Sequence, residues 1–239
     1  MKLQSALRMI YPSECLSCRG FVDGDMALCG PCWRDTPFIH GLTCKSCGTP
    51  LPGDDTGAQV QCDDCIMIAR PWDRGTAALL YKGTARGIAL RLKHADRTNY
   101  AKPAAAWMAT AAPDMPPDAV VAPVPLHWLR LLKRRYNQSA LLAQHVAKAL
   151  NLRYLPDALT RPNVTPNLDG ETRDARFSIL EGAIKPHPKR GRALDGKAVL
   201  LVDDVMTSGA TLAACTEACV SAGARSVDVV VLARVAKDD

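Results

Sequence analysis

The sequence predicts an α/β protein with a Rossmann-like, mostly parallel sheet, preceded by a small cysteine-rich zinc-ribbon domain. Three observations carry that reading. Eight of the ten cysteines lie before residue 66, in four Cys-x-x-Cys pairs. After about residue 71 the cysteines give way to aliphatic stretches that alternate between strand and helix patterns. One stretch, 199–212, passes from a buried-strand pattern through two acids and a hydroxyl-rich loop into a helix pattern.

The cysteine pairs are Cys15/Cys18, Cys29/Cys32, Cys44/Cys47 and Cys62/Cys65, with ten, eleven and fourteen residues between them. Each pair can close a tight turn that aims two thiolates at one ion, and two turns complete a tetrahedral four-thiolate zinc site. Four pairs therefore imply two structural Zn²⁺ ions. Sequential pairing gives a double zinc ribbon, and interleaved pairing satisfies both metals as well. Gly20, Gly30 and Gly48 flank the pairs, as strained turns require. The first ten residues are broken by Gln4, Ser5 and Arg8, a poor secretory signal, and no apolar run is long enough to span a bilayer. A cytoplasmic protein without membrane insertion is expected, its thiols reduced and open to metal rather than paired as disulfides. Residues 1–70 form the first domain on this reading. They hold few aliphatics, so metal must supply much of their folding energy, on the order of 10 kcal/mol per site. Cys215 and Cys219 share a helix face with Leu212 and Ala222 and read as core.

Residues 71–239 form the second domain. Strand patterns fall at 76–81, 119–124, 198–203 and 227–233, and helix patterns at 84–95, 99–112, 137–150 and 209–222. Gly223 stops the last helix. Strand 198–203, helix 209–222 and strand 227–233 make one right-handed parallel βαβ unit. Asp203 and Asp204 then fall at the carboxyl end of a strand, where open α/β sheets bind ligands.

The loop of Thr207, Ser208, Gly209, Ala210 and Thr211 opens a helix. Its unpaired N–H groups and the positive end of the helix dipole suit a phosphate, and Gly209 lets the backbone approach it. The two acids lie where ribose hydroxyls, or a Mg²⁺ bound with them, would sit. An ordinary capped turn leaves two adjacent acids at a buried strand's end unexplained. The stretch resembles the phosphoribosyl-diphosphate (PRPP) loop of type I phosphoribosyltransferases.

Upstream, a strand ends in Pro123-Val124-Pro125, and a basic loop follows with Arg130, Lys133, Arg134 and Arg135. Tyr136-Asn137-Gln138-Ser139 then opens a helix. Guanidinium groups fork onto phosphate oxygens and suit a diphosphate leaving group. The alternative is a solvated basic loop with Asn137 or Ser139 as helix cap. Lys93, Asp96 and Arg97 close a helix pattern. His127 reads as a surface residue or a diphosphate contact, and Arg173 and Arg176 as a lid or a flexible basic loop. Segment 185–192 reads as a linker or hairpin outside the site.

Charge divides unevenly. Residues 1–70 carry a net −2 and the remainder +8. Two zinc tetrathiolates would take the first part to about −6, an unsuitable grip for nucleic acid. A zinc-ribbon transcription factor is disfavoured for that reason, and because no basic recognition helix is present.

Taken together, the chain is similar to the ComF family, which joins a double zinc ribbon to a phosphoribosyltransferase domain. The resemblance covers essentially the whole chain. It rests on the four Cys-x-x-Cys pairs, Tyr81-Lys82-Gly83, Leu92-Lys93-His94, Pro123-Val124-Pro125, Arg134-Arg135-Tyr136-Asn137-Gln138, Thr165-Pro166 and the PRPP loop. The chain departs from the family pattern at Leu168 and Ser178. The resemblance implies PRPP or a related ribose phosphate as ligand, bound with Mg²⁺ by Asp203, Asp204, Val205, Met206, Thr207, Ser208, Gly209, Ala210 and Thr211. Asp203, Asp204 and Arg134 are then the catalytic candidates. Pro125, Arg134, Arg135, Asn137, Gln138 and Lys93 are candidates for the diphosphate or ligand. It also implies a part in DNA uptake during natural transformation. Two functions are compatible with it: phosphoribosyl transfer to a nitrogen acceptor, or a non-enzymatic adaptor. The adaptor would hold single-stranded DNA, dock a competence helicase or another protein through the zinc ribbons, and use the PRPP site as a sensor.

Overall fold

The computed structural model describes residues 13–22, 28–94, 98–166 and 170–236. Asp96, Arg97 and Leu168 lie outside the described residues.

In the cysteine-rich part, the leading pair of each ribbon sits in a tight turn. Cys15 N–H donates to Gly20 O at 2.7 Å, and Cys44 N–H donates to Thr49 O at 2.8 Å. The second pair of each ribbon straddles the start of a one-turn helix: Cys29 caps α1 (Gly30–Arg34) and Cys62 caps α2 (Asp63–Met67). The expected glycine strain holds at Gly48 alone of the three, with φ +69°. In the first turn Arg19, at φ 65°, takes the left-handed position instead of Gly20.

Beyond it come β1 (Arg74–Leu80), α3 (Gly83–His94), a 3-10 turn, α4 (Ala101–Ala111) and β2 (Val120–Pro123). Next are α5 (Trp128–Arg134), α6 (Gln138–Ala149), β3 (Arg153–Tyr154) and β4 (Leu159–Thr160). The chain closes with α7 (Arg173–Leu180), β5 (Lys185–Pro186), β6 (Ala198–Met206), α8 (Ala210–Ser221) and β7 (Ser226–Arg234). The main sheet has the order β1-β7-β6-β2-β3, and all its pairings are parallel. β4 and β5 pair antiparallel outside it, so segment 185–192 begins as half of a small hairpin-like ladder.

Strand side chains alternate between two cores, as a two-residue period demands. On one face Val199, Leu201, Val227, Val229 and Val231 pack with α8, including the fully buried Cys215 and Cys219. On the other, Leu200, Val202, Val230 and Leu232 pack with α3, α4 and α6 through Ile88, Leu92, Met108, Leu142 and Val146. The cysteine-rich part straddles the β1 edge. Cys44, Cys47 and Cys65 join the α8-side core, whereas Cys15 and Leu16 join the other. Gly75 N–H donates to Lys45 O at 2.8 Å and Ile39 N–H to Ala78 O at 3.0 Å, so this part covers an edge strand that would otherwise be open. Trp72 locks the contact, its Nε1–H donating to Ser46 O at 2.6 Å.

Three expectations need correction. The basic stretch after Pro125 is not a loop but α5, and its cap is His127, whose Nδ1 accepts from Leu129 N–H at 3.2 Å. His127 is accordingly buried, not a surface residue. The segment around Arg173 and Arg176 is the start of α7 rather than a flexible loop.

Candidate functional site: a phosphate-loop cleft beside two cysteine clusters

The cysteine clusters form from sequential pairs. Cys15, Cys18, Cys29 and Cys32 bring their sulfurs within 4.8 Å of one another, and so do Cys44, Cys47, Cys62 and Cys65. Interleaved pairing is therefore ruled out. Cys18 Sγ and Cys29 Sγ are 3.7 Å apart, as are Cys47 Sγ and Cys62 Sγ. Disulfides need about 2.05 Å, and all ten cysteines are free. Sulfurs about 2.3 Å from a central ion at tetrahedral angles are separated by about 3.8 Å. The donor set and spacing fit zinc.

The cleft lies at the carboxyl end of β6. The strand does not stop at the acids. β7 runs alongside it to Met206↔Arg234, whereas the β2 ladder ends at Pro123↔Val202. Asp203 and Asp204 thus stay anchored on one side and lose their neighbour on the other. A cavity of about 390 Å³ opens there, lined by Tyr81, Lys93, Pro125, Arg130, Arg134 and Gln138, by Arg161 and Arg176, and by 203–212.

Two carboxylates crowd its floor. Asp203 Oδ1 accepts from Ser139 Oγ at 2.7 Å, and Asp204 Oδ2 lies 3.3 Å from Lys93 Nζ. Burial, with the Asp204 charge beside it, pushes Asp203 up to about 7 against the Ser139 bond. Burial opposes the charge on Lys93, yet the Asp204 and Asp203 carboxylates outweigh it and raise its pKa.

The loop lines the same cavity. Among the described residues no group accepts from the amides of Thr207, Ser208, Gly209 or Thr211, and Ala210 N–H meets only Ser208 Oγ, at 3.4 Å. α8 begins at Ala210 with Gly209 as its N-cap, so Gly209 and Thr211 are orphan donors of a helix start, and Thr207 and Ser208 are loop amides just before it. Gly209 has φ 83°, and a Cβ there would stand 2.9 Å from Arg70 Nη1 and 3.0 Å from Trp72 Cη2. The loop needs glycine for its own turn and for the wall behind it, beyond any approach to a ligand. That wall is fixed by Arg70 Nη1, which donates to Ser208 O at 2.5 Å.

The other predicted residues divide. Pro125, Lys93, Arg134 and Gln138 line the cleft, with Arg134 Nη1 3.4 Å from Gln138 Oε1. Arg135 and Asn137 do not. Arg135 terminates α5 in a left-handed conformation. Asn137 caps α6, accepting from Ser139 N–H at 3.0 Å while its Nδ2 donates to Val124 O at 2.9 Å. It ties the helix to the end of the β2 strand and acts on the cleft through position alone. Val205 and Met206 line the cleft from the strand, and the Met206 side chain is core. Arg176 reaches the loop, its Nη1 3.1 Å from Thr207 Oγ1, but Arg173 turns away to Asp64.

Arg161 was not foreseen. It is buried on the cleft wall with its Nε lacking an acceptor among the described residues. Burial, and then Arg130, lowers its pKa. Nothing in Arg161-Pro162-Asn163 distinguishes it from the chain's other arginines. Ser139 was foreseen only as a cap, and its bond to Asp203 depends on the packing of α6 against β6.

Residues 6–66 match the double zinc ribbon domain family and residues 137–239 the phosphoribosyl transferase domain family. The second match starts at Asn137, although the sheet that holds the cleft begins with β1. DNA utilization protein YhgH of Escherichia coli K12 is 28% identical over 236 residues, covering 95% of this chain and 99% of that one. Competence protein F of Haemophilus influenzae is 26% identical over 229 residues, covering 92% and 96%. Among solved structures, a hypoxanthine phosphoribosyltransferase of Staphylococcus aureus superposes with a TM-score of 0.34, at 18% identity over 59% of this chain and 68% of that one.

Proposed function

From the premise that this chain belongs to the ComF family, a double zinc ribbon followed by a phosphoribosyltransferase domain, we propose that its cleft binds PRPP. The observation that carries this is the presence of adjacent carboxylates and acceptor-free loop amides in the lining of one cavity. The amides of Thr207, Ser208, Gly209 and Thr211 take the 5′-phosphate. Asp203 and Asp204 take the ribose hydroxyls. Arg134 and the unforeseen Arg161 face the diphosphate. Mg²⁺ fits here because two carboxylates share a single lysine, and when bound it offsets diphosphate charge. Transfer to a nitrogen acceptor is the reaction such a site supports: the C1–diphosphate bond breaks, the nitrogen–C1 bond forms, and the acceptor releases a proton. Positioning and charge stabilisation supply the rate. In the same reading residues 1–70 are a zinc-bound ribbon domain and 71–239 the transferase domain, within the cytoplasm.

A second reading keeps the PRPP site as a sensor in a DNA-handling adaptor. It is favoured by the exposed face of α5, where Trp128, Leu129 and Leu132 stand in solvent beside Lys133. That mixed face suits single-stranded DNA or a partner such as a competence helicase.

Asp203→Asn combined with Asp204→Asn is expected to weaken PRPP binding by at least about tenfold, the loss of one or two charge-assisted bonds. Calorimetry with Mg²⁺ present measures it, and unchanged affinity would refute the assignment.

A further inference from the structure

Arg176, Thr207 and Ser208 also line a second cavity, of about 300 Å³, so the start of the loop is a partition between two clefts. The second cleft opens between the second cysteine ribbon and the sheet. Arg70, Arg173 and Arg234 complete its cationic lining, against Asp64 and Glu171. Arg173 Nη1 lies 3.5 Å from Asp64 Oδ1. Arg234 is only 4% exposed, and its Nη1 donates to the carbonyls of Thr207 at 2.8 Å and Met206 at 3.2 Å, and to that of Val235. The second cysteine cluster offsets part of this charge, since Arg70 reaches Cys65 and the field of Arg234 reaches Cys47.

Even so, five buried guanidinium nitrogens have no acceptor among the described residues: Nε and Nη2 of Arg70, Nε and Nη2 of Arg173, and Nε of Arg234. A buried donor left without an acceptor destabilises the fold, more so when it is charged. Three arginines around one cleft, each with unpaired donors, are a poor arrangement for stability alone. A group with several acceptor oxygens and a double negative charge, seated in the cleft that these arginines line, would offset their charge, and a phosphomonoester is that group. We propose that this cleft binds a phosphomonoester of its own, alongside whatever occupies the first. The claim goes beyond the PRPP reading and stands if the first cleft takes another ligand. The source of the phosphate is a free nucleotide or the end of a DNA strand.

The test uses the zinc-loaded full chain saturated with PRPP and Mg²⁺. Calorimetry then follows titration with thymidine 5′-monophosphate and, separately, with a short 5′-phosphorylated DNA oligonucleotide. We expect one equivalent to bind, and at least about tenfold weaker binding in Arg173→Ala, whose side chain lies outside the first cleft. Arg173→Gln, which keeps a polar side chain against Asp64, should lose as much. Binding of both probes assigns the site to phosphomonoesters generally, and binding of the oligonucleotide alone assigns it to a nucleic-acid end. Should PRPP itself fail to bind, the same titrations on the unsaturated chain decide the matter. No binding of either probe, or affinities unchanged in both variants, overturns the proposal.

Discussion

Asp203 is the residue whose chemistry is most exposed to test. Its carboxyl holds a proton up to about pH 7 in the folded chain, against an ordinary value of 3.8. Between those limits the folded state binds more protons than the unfolded one, so this group's contribution to stability is greatest below about pH 4 and is lost as pH rises toward 7. Asp203→Asn removes that loss. Its thermal midpoint should exceed the parent's at pH 8, and the difference should shrink steadily toward pH 4. A difference independent of pH would show that Asp203 titrates like an ordinary acid. Gly209→Ala meets a left-handed backbone and the Arg70–Trp72 wall at once. The expected cost is about 1–3 kcal/mol, read from denaturant unfolding, with weakened PRPP binding. A neutral substitution would mean that the wall yields. The sequence revealed Gly209, Asp203 and Asp204 because they are consecutive in a strand–loop–helix pattern. It concealed Arg161, whose place depends on β4 and on contacts with Thr165.

Among elements, legibility followed burial. β1, β2, β6 and β7, and α3, α4, α6 and α8, were each foreseen to within a few residues, because each contributes several buried apolar residues to a core. α5 buries no residue, and α7 buries only Leu180. Both are about two turns long and carry arginines or lysines, which is why both read as basic loops. The two-residue strands β3, β4 and β5 are too short for any period to register. The cysteine spacing implied two metal clusters but not their pairing, since local turns are the same in either arrangement. The clusters differ in context. Cys47 is fully buried in the α8-side core, whereas Cys18 is exposed. Cys47→Ser should therefore lower the thermal midpoint of the whole chain more than Cys18→Ser. Cys47→Ser alone should weaken PRPP binding, because Arg70 and Trp72 stand between that cluster and the loop. Equal losses in calorimetric scans of the two variants would contradict this.

The whole molecule is organised around the β1 edge. The ribbons cover it, one on each face of the sheet, and the second ribbon backs the loop through Arg70. Composition alone separated an acidic cysteine-rich part from a basic α/β part. It could not show that the two parts share a core, because the contacts join residues as distant as Ser46 and Trp72, or Arg70 and Ser208. The proposed function nonetheless turns on one local contact, between the amides of the loop and helix start and the phosphate of an activated sugar. Amide ¹⁵N–¹H spectra of the zinc-loaded chain, recorded as PRPP is added with Mg²⁺, address it directly. The largest shifts should fall on Thr207, Ser208, Gly209 and Thr211. Saturable binding that leaves those four amides unmoved would contradict the account.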